Sequence, residues 1–71
     1  MKYVEIRSEP VELYKILKFE GMVASGGEAK LVIEQGLVNV NDRVETRKRK
    51  KIVSGDIIEF NNEKFQVQLE K

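Results

Sequence analysis

Five consecutive cations, Arg47, Lys48, Arg49, Lys50 and Lys51, are the residues of this 71-residue sequence whose type and spacing point most directly to chemistry. Arg43 precedes them and Glu45 is the one acid within residues 43–51, so positive charge is concentrated there in a chain whose net charge is only +1. Adjacent cations repel, and a Debye length of about 8 Å at physiological salt screens that repulsion only in part. A polyanion relieves it, because a phosphate backbone replaces the missing counter-charge and releases its own condensed cations. The bland alternative is a solvated loop kept for solubility. An anionic membrane surface would also attract such a run, at about 1 kcal/mol per basic residue, but neither an apolar anchor nor a lipidation signal accompanies it.

Other chemistries have less to work with. The chain has no Cys and no His, which removes thiolate and disulfide chemistry together with the commonest general base and metal ligand. Catalysis by Asp56 or Glu59 would need a second positioned group and a pocket, and neither is visible. The expectation is no enzyme, no catalytic residue, no metal and no cofactor. Asp56, after Gly55, is assigned a structural role, accepting from backbone N–H groups of its own turn. Ser25, Gly26 and Gly27 open a helix whose N–H groups could meet a phosphate, although Glu28 competes for the same donors and repels an anion. Tyr14 and Phe19 could stack on unpaired bases. Core packing is the stronger expectation for Phe19, and Tyr14 is left open between the two. Phe60 and Phe65, on strands, are expected in the core.

The elements that must position these residues are written locally. Ser25 to Asn41 reads as a helix that turns directly into a strand: Ser25 and Glu28 form a capping box, in which the Glu28 carboxylate reaches back to the Ser25 N–H. Ala29, Val32 and Ile33 share one helical face, with Lys30 and Glu34 off it and Leu31 opposite, either covered by another element or exposed. Gly36 is the C′ residue, Val38 and Val40 alternate as a half-buried strand, and Asn41-Asp42 turns the chain. Upstream, Tyr3–Ile6 is a short edge strand. Ser8 or Glu9 caps a helix that carries Pro10 in its first turn and runs from Val11 to about Glu20, with Leu13, Ile16 and Leu17 as its core stripe and Gly21 as its end. Downstream, Ser54-Gly55-Asp56 is a turn, Ile57–Phe60 a strand and Asn61-Asn62 a hairpin turn. Phe65, Val67 and Leu69 form the buried face of a last strand. The whole is an α+β arrangement of two N-terminal helices packed on a small antiparallel sheet, a single domain over residues 1–71.

The ordered set S-x-x-x-A-K-x-x-I-x-x-G-x-V-x-V-N followed by Gly55-Asp56-Ile57-Ile58 resembles the RNA-binding domain named after ribosomal small-subunit protein S4 (the S4 domain, or αL RNA-binding motif). Leu17-Lys18, Glu20-Gly21, Ser25-Gly26, Ala29-Lys30 and the run V-E-T-R-K-R-K-K-I-V are similar to the small stand-alone bacterial proteins of the YbcJ type within it. The resemblance spans roughly residues 11 to 60. It implies that the helix pair and the following hairpin face structured RNA, with Lys18 and Lys30 extending the patch of Arg47 to Lys51. For each of those lysines the alternative is an ordinary exposed helix residue. Glu12, Leu13 and Tyr14 stand where larger members of the superfamily carry Arg-Leu-Asp, and Gly26 stands where they carry Arg, so two family cations are missing and the basic run could compensate. Asp42 replaces the glycine of the usual V-N-G turn, which should strain a positive-φ position slightly.

The expectation is therefore a non-enzymatic protein that docks a basic face on structured RNA by shape and phosphate contact. Its site is Lys18, Ser25, Gly26, Lys30, Arg43, Arg47, Lys48, Arg49, Lys50 and Lys51. Family analogy puts ribosomal RNA or a ribosome assembly intermediate first among targets and transfer RNA next. The alternative, from another class, is a protein-interaction adaptor whose basic loop meets an acidic protein partner; ribosomal or other proteins are possible partners in either case. The first residues lack an apolar signal-peptide core and no run approaches the roughly 20 apolar residues of a membrane span. A soluble, cytoplasmic monomer without a membrane role is expected.

Overall fold

Residues 2–70 are described in the computed structural model of this chain. In order, the elements are β1 (Lys2–Ile6), β2 (Val11–Glu12), α1 (Leu13–Phe19), α2 (Gly26–Glu34), β3 (Val38–Val40), β4 (Arg43–Val44), β5 (Lys51–Ile52), β6 (Ile57–Phe60) and β7 (Glu63–Leu69). The class is α+β, with two helices, a five-stranded sheet in the order β1-β7-β6-β3-β4 and a two-stranded ribbon of β2 and β5.

Two features correct the sequence expectation. The helices do not precede the sheet, because β1 comes first, and the sheet is mixed, because β1 runs parallel to β7 with Lys2 opposite Phe65 and Ile6 opposite Leu69. Parallel neighbours need a long crossover, and here it is the rest of the chain, both helices included. The second correction concerns α1, which starts at Leu13 rather than Val11. Val11 and Glu12 instead pair with Ile52 and Lys51, and no side chain caps the helix.

One cluster of buried side chains joins the layers: Leu13, Ile16 and Leu17 from α1, Ala29 and Ile33 from α2, and Val4, Val38, Ile58, Phe65 and Val67 from the sheet. Each of those sheet residues lies on the pleat face turned toward the helices, as the two-residue period requires. Phe60 is partly buried against the same cluster. Phe19 is not in it. At the last position of α1 its side chain is 71% exposed, because Leu13, Ile16 and Leu17 already fill the packed face and the chain turns away at Gly21. Leu31 is exposed as well, and so is Leu69, near the end of the sheet.

Both helices end in the same way. The Gly21 N–H donates to the Lys18 carbonyl and the Met22 N–H to Leu17, while Gly36 donates to Ile33 and Leu37 to Val32. These are Schellman motifs, which need the left-handed backbone that Gly21 (φ 70°) and Gly36 (φ 76°) supply. The two tight hairpin turns use the same region without glycine: Asn41 and Asp42 join β3 to β4, Asn61 and Asn62 join β6 to β7, and all four have positive φ. Paired positive-φ residues suit two-residue hairpins because their twist matches that of the strands.

Candidate nucleic-acid interface

The basic segment begins as β4, paired with β3 across the Asn41-Asp42 turn, and ends as β5, paired with β2. Between these anchors the loop would be free, but α1 holds it. The first two N–H groups of α1 lack intrahelical acceptors, as at any helix start. Here Leu13 N–H donates to the Lys50 carbonyl (2.9 Å) and Tyr14 N–H to the Lys48 carbonyl (3.2 Å). The loop carbonyls thus do the work of a side-chain cap, and in return the backbone of Lys48 and Lys50 is fixed. A turn closed by Lys50 N–H on the Arg47 carbonyl (3.2 Å) completes the loop.

The α2 start follows the capping-box logic with one change. The Glu28 N–H donates to Ser25 Oγ at 3.1 Å, but the Glu28 carboxylate accepts from Ala24 N–H at 2.8 Å rather than from Ser25. Gly26 faces the Tyr14 ring, where a Cβ would sit 3.9 Å from the ring carbons, an ordinary contact. The space does not demand glycine there. Lys30 Nζ lies 4.7 Å from the centre of the same ring and Lys15 Nζ 6.0 Å, a cation–π cluster. Tyr14 is therefore the junction: its backbone holds the basic loop, its ring meets the start of α2 and Lys30, and Lys18 stands one turn further along α1. The open question over Tyr14 resolves toward a half-buried ring packed against the core.

Ion pairing sorts the cations. Lys2 pairs with Glu63, Arg7 with Glu70, Lys15 with Glu12 and Lys64 with Asp42. Two residues of the basic run are also paired: Lys48 with Glu34 on α2, and Arg47 with Glu45. Among the described residues, the cations with no carboxylate within ion-pair distance are Lys18, Lys30, Arg43, Arg49, Lys50 and Lys51. Arg47 and Lys50 line two open hollows, one shared with Arg43 and the Thr46 segment, the other with Arg49 and Lys51.

Glu45 is the acid that sequence reasoning counted only as a dilution of the run. Its carboxylate accepts from Arg47 three times, from the backbone N–H (2.9 Å), Nε (2.9 Å) and Nη2 (3.0 Å). The side chain of Glu45 is only 12% exposed, against 71% for Arg47. Hydrogen bonds from the Arg47 guanidinium hold the Glu45 carboxyl below its ordinary value, against the opposing effect of burial, and the carboxylate raises the Arg47 pKa in return. The spacing Glu45-x-Arg47 was the available signal.

Asp56 has the structural role expected of it, accepting from Val53 N–H (3.0 Å) in its own turn and from Asn41 Nδ2 (3.0 Å) across the sheet end. Among the described residues, no group of three or more acidic side chains could hold a metal ion, and no helix is long and apolar enough to cross a membrane.

A family model described as S4 domain matches residues 4–68. YbcJ of Escherichia coli (strain K12) is 49% identical over 57 residues, covering 80% of this chain and 81% of YbcJ. "Probable ribosome maturation protein RlbA" of Bacillus subtilis (strain 168) is 34% identical over 57 residues, 80% of each chain. Among solved structures, the solution structure of YbcJ from E. coli, described as revealing an alfaL motif involved in RNA-binding, superposes with a TM-score of 0.73 at 43% identity, over 96% of this chain and 87% of that one.

Proposed function

Since this chain belongs to the S4 domain family, we propose that it is a non-enzymatic RNA-binding protein, a single domain that docks one basic face on structured RNA. The observation that carries this reading is the sorting of charge. Among the described residues, cations elsewhere on the surface are matched by carboxylates, while Lys18, Lys30, Arg43, Arg49, Lys50 and Lys51 have none within ion-pair distance. All six lie on the elements that meet around Tyr14 or on the hairpin leading into the loop. Arg47 and Lys48, though paired, belong to the same surface, and Ser25 and Gly26 form its border at the start of α2.

Pinning of the loop by α1 matters energetically. A loop already ordered loses less conformational freedom on binding, so more of its contact energy appears as affinity. Recognition by such a surface rests on phosphates and helical shape rather than on base edges. Ribosomal RNA or a ribosome assembly intermediate is the target class we favour, on the strength of the name carried by RlbA.

Fluorescence anisotropy of a structured ribosomal RNA fragment, titrated with this protein at several salt concentrations, tests the reading. Binding should weaken with a log–log slope of about −0.7 to −0.9 per phosphate engaged. Failure to bind structured RNA near physiological salt would remove the proposal and turn attention to an acidic protein partner.

A further inference from the structure

From the Glu45–Arg47 geometry we infer a preformed phosphate-binding fork: Glu45 is a positioning residue that aims the outer edge of the Arg47 guanidinium into the hollow shared with Arg43 and Lys50, where it takes one phosphate of an RNA backbone. The inference rests on the functional reading above and specifies how one part of that surface works.

The chain of support begins in the sheet. The Glu45 N–H donates to the Val38 carbonyl of β3 at 2.9 Å, so the backbone of Glu45 is fixed just beyond the end of β4. Its carboxylate, at the wall of the same hollow, then grips Arg47 at the backbone N–H, at Nε and at Nη2. An arginine side chain has five N–H donors in a planar fork. Nε–H and one N–H of Nη2 are used, leaving both N–H groups of Nη1 and the second of Nη2. One N–H of Nη1 and the free N–H of Nη2 point in parallel from the outer edge of the guanidinium, the arrangement that meets two phosphate oxygens with two parallel hydrogen bonds, while the other Nη1 N–H points back on the Cδ side. Arg47 is 71% exposed, so that edge is open. Arg43 and Lys50 line the same hollow and have no carboxylate partner among the described residues, leaving their charge available to the ligand. Lys50 is held in place through its own carbonyl by Leu13.

A bare electrostatic account of this surface predicts the opposite of the positioning account when Glu45 is neutralised. Glu45→Gln raises the net charge from +1 to +2 and, on charge alone, tightens binding to a polyanion. If Glu45 aims Arg47, the same change weakens binding, since a rotamer-rich side chain must then be ordered at the moment of contact. The experiment compares wild type, Glu45→Gln, Arg47→Lys and the double variant for binding to the structured ribosomal RNA fragment by anisotropy, with circular dichroism and thermal melts as folding controls. We expect Glu45→Gln to weaken binding about two- to tenfold, the range for an interface side chain that is no longer pre-ordered. Arg47→Lys, which keeps the charge but loses the fork, should weaken it comparably, and the double variant should bind no more weakly than Arg47→Lys alone. Unchanged or tighter binding by folded Glu45→Gln overturns the inference. So does wild-type affinity in Arg47→Lys, which decides the matter if Glu45→Gln fails to fold. Absence of wild-type binding would instead remove the functional reading itself, a distinguishable result.

Discussion

Asn41 and Asp56 bind each other side chain to side chain, with Asn41 Nδ2 donating to Asp56 Oδ1 at 3.0 Å. The contact is part of a closed set. Asn41 Oδ1 accepts from Ile57 N–H at 2.9 Å, Asn41 N–H donates to the Ile57 carbonyl at 2.7 Å, and Asp56 Oδ2 accepts from Val53 N–H at 3.0 Å. Two turns far apart in sequence are thereby locked at one end of the sheet. Asp56→Ala should cost about 1.5–3 kcal/mol, the range for hydrogen bonds to a charged group. A thermal melt would register this as a fall in Tm of about 6–24 °C, at about 4–8 °C per kcal/mol for a domain of this size.

The unpaired cations should be separable from the paired ones. Replacing Arg49, Lys50 and Lys51 together by Gln should flatten the salt slope for structured RNA by up to about 2–3, at 0.7–0.9 per lost phosphate contact. Replacing Lys2 and Lys64, which are paired with Glu63 and Asp42, should leave the slope within error.

Neighbouring apolar positions on α1 should behave very differently. Leu17 is fully buried and Phe19 is exposed. Leu17→Ala should cost about 2–5 kcal/mol through lost burial and a residual cavity, whereas Phe19→Ser should stay within about 0.5 kcal/mol. Chemical denaturation of the two variants side by side checks the contrast.

Asp42 occupies a positive-φ turn position (φ 66°) that glycine accepts without steric cost. Asp42→Gly should be stabilising or neutral, within about 1 kcal/mol, because the ion pair it loses with Lys64 is exposed and worth little. A midpoint shifted clearly toward lower denaturant would contradict this.

The pH dependence of stability follows from Glu45, whose carboxyl is held below its ordinary value of 4.5 by hydrogen bonds from Arg47. A carboxyl with a lowered folded-state pKa binds fewer protons when folded than when unfolded. Its contribution is therefore complete above the ordinary value and is lost as pH falls through the lowered one. The difference in Tm between wild type and Glu45→Gln should be largest at neutral pH and narrow on acidification below about pH 4.5. A difference that stays constant down to pH 2 would exclude a titrating Glu45 as its source.

What could be read from the sequence was local chemistry. The Ser25–Glu28 cap, glycines 21 and 36 at the helix ends, the Asn41-Asp42 and Asn61-Asn62 turns and the Leu13-Ile16-Leu17 stripe each depend on residues a few positions apart, and each is present. What could not be read depends on partners remote in sequence. Nothing near Val11 signals that Ile52 will draw it into a ribbon and delay the helix, and nothing near Tyr3 identifies β7 as its neighbour or makes the pairing parallel. The same divide runs through the candidate interface. The Arg47–Glu45 contact lay within two residues and could have been inferred, whereas Lys48 finds Glu34 only because α1 and α2 bring the loop alongside.

The parallel pairing of β1 with β7 also dictates an order of events. Lys2–Ile6 leaves the ribosome well before the strand that completes its hydrogen bonding, Glu63–Leu69. The helix pair and the β3–β4 hairpin can form from sequence already at hand, while β1 must wait, unpaired, until both helices and the intervening strands have been made. Contacts between such distant segments slow folding, and a waiting strand is open to wrong partners. With Lys2, Glu5 and Arg7 in and beside it, that segment carries the charges that discourage edge-to-edge association, and so is suited to its wait.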